Sequence, residues 1–350
     1  MKILVIQQKM IGDVLTSTIL FEALCQKYPD AQLDYLINEH TYPVVKNNPY
    51  IDNFILLTPE IEKNYSELYS FIKQIRKTKY DVVIDVYGKI SSNLITLFSG
   101  SKIKIGYHKK HTSFIYNKNI KRLKKPEHSL SLAIENRLRL LIPLQIPFGN
   151  FEPKIILNKK EIEQAKNTLE SFKVKLKNPL YMISVLGSSP KKTYPAKYMA
   201  ELLDYIIQNQ PSAQLLFNYI PNQIKEAKAV YSLCSQTTQK QIFFELFGTS
   251  IREFLALTSH CNALIGNEGG AVNMAKALKK PTFIIFNPGL NKSNWFGSEE
   301  NNKNSAVHLS DFIDYKAEDY NEAKQNPNTY YLKFKPKFIE SKLAEFLRKN

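Results

Sequence analysis

Short apolar runs rich in Val, Ile and Tyr alternate along the chain with longer segments of helical period. "KILVI" (2–6), "QLDYLI" (32–37), "NFILL" (53–57) and "YDVVIDV" (80–86) read as strands, with helices near 13–28, 62–78 and 89–99 between them. A further helix is predicted over roughly 127–143, capped near Glu127 to Ser129. Three prolines and a glycine in "PLQIPFGNFEPK" (143–154) then interrupt both periodicities and mark a linker. The alternation restarts with strands at 181–186, 213–219, 242–246 ("IFFEL"), 262–266 and 282–286, and helices at 196–209, 222–234, 250–260 and 270–279. Strands separated by helices imply parallel sheets covered on both faces. The pattern predicts two successive doubly wound α/β domains, 1–150 and 151–335. A last helix, 336–350, is expected to pack back on the first domain, and "EENNKNSAV" (299–307) to form an exposed loop.

Composition narrows the classes. At 350 residues with 43% hydrophobic content, the chain can bury two cores. No apolar run is long enough to span a bilayer, and "MKILVIQQK" is too short in its apolar part for a secretory signal, so a cytoplasmic location is expected. Three dispersed cysteines and six scattered histidines indicate neither a disulfide framework nor a metal site.

A net charge of +16 implies an anionic partner: nucleic acid, an acidic membrane surface or a phosphorylated substrate. Much of it lies between Lys102 and Lys125, a stretch without Asp or Glu. A solvated loop is the bland reading; its interleaved Tyr107, Phe114 and Tyr116 also suit a membrane interface or single-stranded nucleic acid.

Ligands of open α/β sheets bind beyond the carboxyl ends of the strands, which directs attention to three loops. The first, "QQKMIGD" (7–13), lacks both the dinucleotide and the phosphate-cradling glycine patterns, and it places Asp13 at a helix entrance. An acid there suits helix capping; facing a cleft, it could equally act as a general base. The second, "VLGSSPKKTYPAKY" (185–198), combines Gly187, Ser188, Ser189, Lys191 and Lys192, a set suited to a phosphate or pyrophosphate. In the third, "LIGNEGGAVNMAKAL" (264–278), Asn267, Glu268, Gly269 and Gly270 separate a strand from a helix carrying Asn273. Its paired glycines fit either a tight turn with positive φ or an anion-binding set of amides.

Together "IGDVL", "KKTYPAKYMAELL", "LFGTSIREFLALTSHCNALIGNEGGAVNMAKAL" and "PTFIIFNPG…WFG" resemble glycosyltransferase family 9, the ADP-heptose:lipopolysaccharide heptosyltransferases and their relatives. The resemblance implies a GT-B architecture, two Rossmann-like domains facing across a cleft, with the acceptor bound by the first and the nucleotide-sugar by the second. It implies inverting, metal-independent transfer with no cofactor beyond an ADP-linked sugar substrate. It makes Asp13 the catalytic base and Lys192 the diphosphate-binding lysine, with Ser188, Ser189, Asn267, Glu268, Gly269, Gly270 and Asn273 around the donor. Glu268 and Asn273 stand where the family usually has Asp and His, and "QKMI" replaces the usual basic residue and small residues before "GD". An anionic glycolipid at the cytoplasmic face of the inner membrane is the implied acceptor, with Gly12, Lys109, Lys110, Lys121 and Arg122 as its contacts. Gln223 and Glu226 are candidates for reading the ribose. A nucleic-acid-binding protein using 102–125 and a non-catalytic family member are the competing readings; the enzyme reading expects no nucleic-acid partner.

Overall fold

The computed structural model describes residues 1–297 and 303–350 and divides the chain into units Met1–Ile156 and Leu157–Asn350.

In the first unit, β1 (Lys2–Ile6), α1 (Ile11–Ser17), α2 (Ile19–Lys27), β2 (Gln32–Asn38) and β3 (Asn53–Leu57) are followed by α3 (Pro59–Lys63) and α4 (Tyr65–Thr78). Next come β4 (Val82–Asp85), α5 (Ile90–Phe98), β5 (Ile103–Tyr107), β6 (Lys118–Ile120) and α6 (Leu132–Arg139). The six strands are parallel in the order β3-β2-β1-β4-β5-β6. Because helices cover both faces, β1 reads as an unbroken apolar run, buried from Ile3 to Ile6. One face packs Leu4, Ile6, Leu36 and Val83 against Leu68, Phe71, Ile72 and Ile75 of α4, whose spacing is that of a single helical stripe. The order reverses between β1 and β4, so the loops after those two strands flank the switch point of the sheet.

The second unit contains α7 (Lys159–Ser171), β7 (Leu180–Ser184), α8 (Ala196–Asn209), β8 (Gln214–Phe217), α9 (Ile224–Leu233), α10 (Gln236–Gln239), α11 (Ile251–His260) and β9 (Ala263–Asn267). It continues with α12 (Gly270–Ala277), β10 (Thr282–Ile285), β11 (Asn304–Val307), α13 (Ala317–Gln325), α14 (Pro327–Lys333) and α15 (Pro336–Lys349). Its parallel sheet runs β11-β10-β9-β7-β8, placing the switch point between β7 and β9. The apolar residues of α15, Ile339, Leu343, Phe346 and Leu347, belong to the core of this unit.

Several expectations are corrected. "IFFEL" forms no strand; Ile242 makes a single bridge to Leu215, and Phe244 instead packs on Tyr219, Phe217 and Tyr231. The predicted helix 127–143 shortens to α6, because the Glu135 carboxylate accepts from the amides of Glu127 and His128 and holds that segment as a loop. The basic stretch is not a loop: it contains β5 and β6. Asn304–Val307 is an edge strand rather than exposed loop, while 299–302 of that expected loop lie outside the described residues.

Candidate active site

The first domain holds Asp13 in a built setting. Met10, at the N-cap of helix α1, makes no side-chain cap, and the Asp13 carboxylate is directed to Arg137, whose Nη2 donates to Oδ1 at 2.7 Å. Capping is therefore not its role. The Arg137 guanidinium also donates through Nε to Ser17 Oγ (2.9 Å) and through Nη1 to the Ala133 carbonyl (2.8 Å). The arginine side chain is 8% exposed and that of Asp13 35%, so a buried cation fixes one side of a carboxylate whose other side is reachable. Gly12 is buried and gives its carbonyl to Thr16 Oγ1, which makes it part of the support of Asp13 rather than an acceptor surface.

Arg137 is absent from the residues the sequence singles out. It lies more than a hundred residues from Asp13, and its only signal is a cation on a helix next to the buried Leu138.

Beside this pair stands a basic cluster. The Arg122 guanidinium lies 3.8 Å from the centre of the Tyr107 ring, and the Tyr107 hydroxyl donates to the carbonyl of Asn136, the residue before Arg137. Lys109 Nζ donates to the Gly88 carbonyl at 2.5 Å. Partial burial lowers the affinity of Lys109 for its proton, and the charges of Arg122 and Lys89 act in the same direction. Arg122, Lys109 and Lys89, at the end of the β4 loop, thus form one basic cluster. Lys110 and Lys121 are exposed and lend their backbone carbonyls to Ser113 and Arg139. Tyr107 and Tyr116 are each 4% exposed, so these rings are not offered to bases or lipid; Phe114, at 76%, is.

In the second domain the loop after β7 is closed on itself. A Cβ on Gly187 would meet the Lys192 carbonyl, the Gly187 amide donates to Thr193 Oγ1 (3.0 Å), and the Lys192 amide donates to the Ser189 carbonyl (2.9 Å). Only glycine fits that approach. This leaves Ser188 and Lys192 exposed and Ser189 half-buried.

Asn267, expected near the donor, is a correction: it is 1% exposed and fully committed. Its Nδ2 donates to the carbonyls of Ser184 and Val185 (2.9 and 3.0 Å), and its Oδ1 accepts from the Tyr194 amide (2.7 Å). It ties the end of β9 to the loop after β7 and so gathers the 188–192 and 268–270 segments at one switch point.

Gly269 has φ +153°, which an L side chain rarely adopts, and space is open above both Gly269 and Gly270. Burial raises the Glu268 carboxyl above its ordinary range, opposed by the nearby charge of Lys192. Asn273, half-buried, lies one turn into α12. Gln223 donates to the Gly187 carbonyl at 3.3 Å and braces that loop, while Glu226 is exposed.

Two parallel Rossmann-like sheets, each with its polar loops at the switch point, define a two-domain α/β fold of GT-B type. Residues 68–324 match glycosyltransferase family 9 (heptosyltransferase), and the chain belongs to that family. It is a glycosyltransferase. It is 25% identical over 298 residues to lipopolysaccharide heptosyltransferase 1 of Campylobacter coli, covering 82% of this chain and 84% of that protein. Among solved structures it resembles the family 9 glycosyltransferase of Veillonella parvula (TM-score 0.84, 18% identity, 100% of this chain and 98% of that one). It also resembles Escherichia coli heptosyltransferase WaaC with ADP-2-deoxy-2-fluoro heptose (TM-score 0.66, 14% identity, 95% and 99%).

Proposed function

We propose that this chain transfers a heptose from an ADP-linked donor to a lipopolysaccharide core acceptor, inverting the anomeric centre without a metal or other cofactor. The names of the Campylobacter coli relative and of the WaaC structure, with its ADP-linked sugar, support the substrate class. The observation that carries the mechanism is the Asp13 carboxylate, held at 2.7 Å by a buried arginine with its side chain still 35% exposed.

In this reading Asp13 accepts the proton of an acceptor hydroxyl while that oxygen forms a bond to the anomeric carbon. The bond from that carbon to the diphosphate oxygen breaks on the opposite face, and ADP leaves with the electron pair. Charge growing on the diphosphate is met by Lys192, the hydroxyls of Ser188 and Ser189, and the amides of Gly269 and Gly270. Glu268 and Asn273 border the same loop. Lys109 and Arg122, with Lys110 and Lys121 further out, attract the anionic acceptor. No helix among the described residues is long and apolar enough to cross a membrane, and we place the enzyme at the cytoplasmic face of the inner membrane, held by its basic surface.

The test is transfer from ADP-heptose to heptose-deficient lipopolysaccharide. Asp13→Asn should lose about three orders of magnitude or more in turnover, the upper part of the range for a general base, while ADP still raises the melting temperature as in the unaltered chain. Lys192→Ala should weaken ADP binding and slow transfer. Turnover retained by Asp13→Asn excludes Asp13 as the base, and no transfer by the unaltered chain leaves the non-catalytic reading.

A further inference from the structure

On the segment that leads from β1 to Asp13, and on the neighbouring strand β2, the first domain buries two side-chain amides, each with one polar atom that lacks a partner among the described residues. Gln8 and Asn38 continue the in-register pairing of β1 with β2: Ile6 faces Leu36, and the Asn38 amide donates to the Gln8 carbonyl at 3.1 Å. Residues in register on parallel strands project to the same face, so the two side chains emerge together. Gln8 is 0% exposed and Asn38 4%. Ser91 Oγ donates to Gln8 Oε1 at 2.6 Å, which turns Nε2 the other way. Among the described residues Gln8 Nε2 and Asn38 Oδ1 have no hydrogen-bond partner. Such orphans are costly, because each of these two atoms has given up water without a hydrogen bond in return.

Their cover is thin. Lys9 Nζ and Glu62 Oε1 form an ion pair at 2.6 Å with both side chains about a third exposed, and Glu62 Oε2 lies 3.4 Å from Asn38 Nδ2. An exposed pair of this kind contributes little and opens readily. Asp13 follows Gln8 and Lys9 on the same segment, in the first turn of α1.

A buried N–H donor and a buried carbonyl acceptor at paired register positions are together the complement of an alcohol. An anion would be repelled by the Asn38 carbonyl, a cation would leave the Gln8 amide unmet, and an apolar group would satisfy neither. We propose that Gln8 and Asn38 form a subsite for one hydroxyl of the acceptor sugar, uncovered when the Lys9–Glu62 pair opens, which orients that sugar against Asp13. This rests on the transfer reading above.

The experiment is steady-state transfer from ADP-heptose with O-deacylated, heptose-deficient lipopolysaccharide as the varied substrate. Gln8→Leu and Asn38→Leu should each raise the acceptor KM about three- to tenfold, the worth of one neutral hydrogen bond. The donor KM should not move. The double variant should be little worse than either single one, because one hydroxyl serves both amides. The isosteric Gln8→Glu, which keeps the acceptor for Ser91 and removes the donor, gives the same reading if Leu does not fold. Unmoved acceptor KM in folded variants overturns the subsite and identifies the amides as the seat of a structural water. Absence of transfer by the unaltered chain overturns the substrate reading, and the subsite with it.

Discussion

Arg137 Nη2 donates to Asp13 Oδ1 at 2.7 Å, and the same guanidinium holds Ser17 and the Ala133 carbonyl, so one buried side chain joins α6 to α1 at the candidate base. Lysine keeps the charge but cannot form the fork. Arg137→Lys should therefore cost about 1–3 kcal/mol of stability, on the scale of lost charge-assisted hydrogen bonds, and lower the transfer rate about tenfold or more through misplacement of the carboxylate. Urea unfolding and transfer kinetics measure the two effects. A variant that loses stability but keeps its turnover would show Arg137 to be structural alone.

Glu268 offers a pH-dependent check. Its carboxyl is raised by burial against the opposing Lys192 charge, so the folded state holds the proton more tightly than the unfolded chain. Stability from such a group is present below the unfolded pKa and is lost as pH rises through the folded one. Glu268→Gln removes that loss. It should raise the melting temperature at pH 7.5, with the gain shrinking to nothing as pH falls below the ordinary glutamate range. Equal melting temperatures across that range would exclude the burial penalty.

The paired glycines separate strain from ligand contact. Gly269→Ala must hold φ +153° with no neighbour to clash with, so its cost should be backbone strain alone, about 1–3 kcal/mol. Gly270 lies at the first position of α12 with open space above it and no positive φ, so Gly270→Ala should leave stability within about 1 kcal/mol. If the loop amides meet a diphosphate, that methyl group should still weaken ADP binding, as read by titration calorimetry. Unchanged ADP affinity in Gly270→Ala would remove this loop from the donor site.

The basic residues should differ by position. Arg122, though exposed, stacks on Tyr107, which is tied to the segment carrying Arg137, and the half-buried Lys109 is held at Gly88, whereas Lys110 stands exposed. Arg122→Ala and Lys109→Ala should raise the acceptor KM several-fold more than Lys110→Ala, and for Lys109 the difference should persist in moderate salt, which screens exposed charge first. Equal effects of all three would reduce the cluster to a diffuse field.

Periodicity determined most of the fold, because strands buried on both faces must be apolar runs and their covering helices must carry an apolar stripe. The strand at 2–6 and the helix at 196–209 follow from that requirement alone, while the edge strand at 53–57 is apolar though only partly buried. Short strands with polar residues escape that requirement: β6, "KNI", and β11, "NSAV", at sheet edges, and β5, "IKIGY", beside β6, carry lysines or polar residues and read as loop, while the apolar "IFFEL" serves aromatic packing without pairing. The residues with distinctive local chemistry, Asp13, Lys192 and the 268–270 turn, were visible in the sequence. Their supports were not: Arg137 meets Asp13, Asn267 turns from ligand candidate to tether, and Gln8 meets Asn38 only when strands and helices distant in sequence come together. A motif records which chemistry a short segment can supply; which side chains are spent holding it depends on contacts that only the folded chain creates.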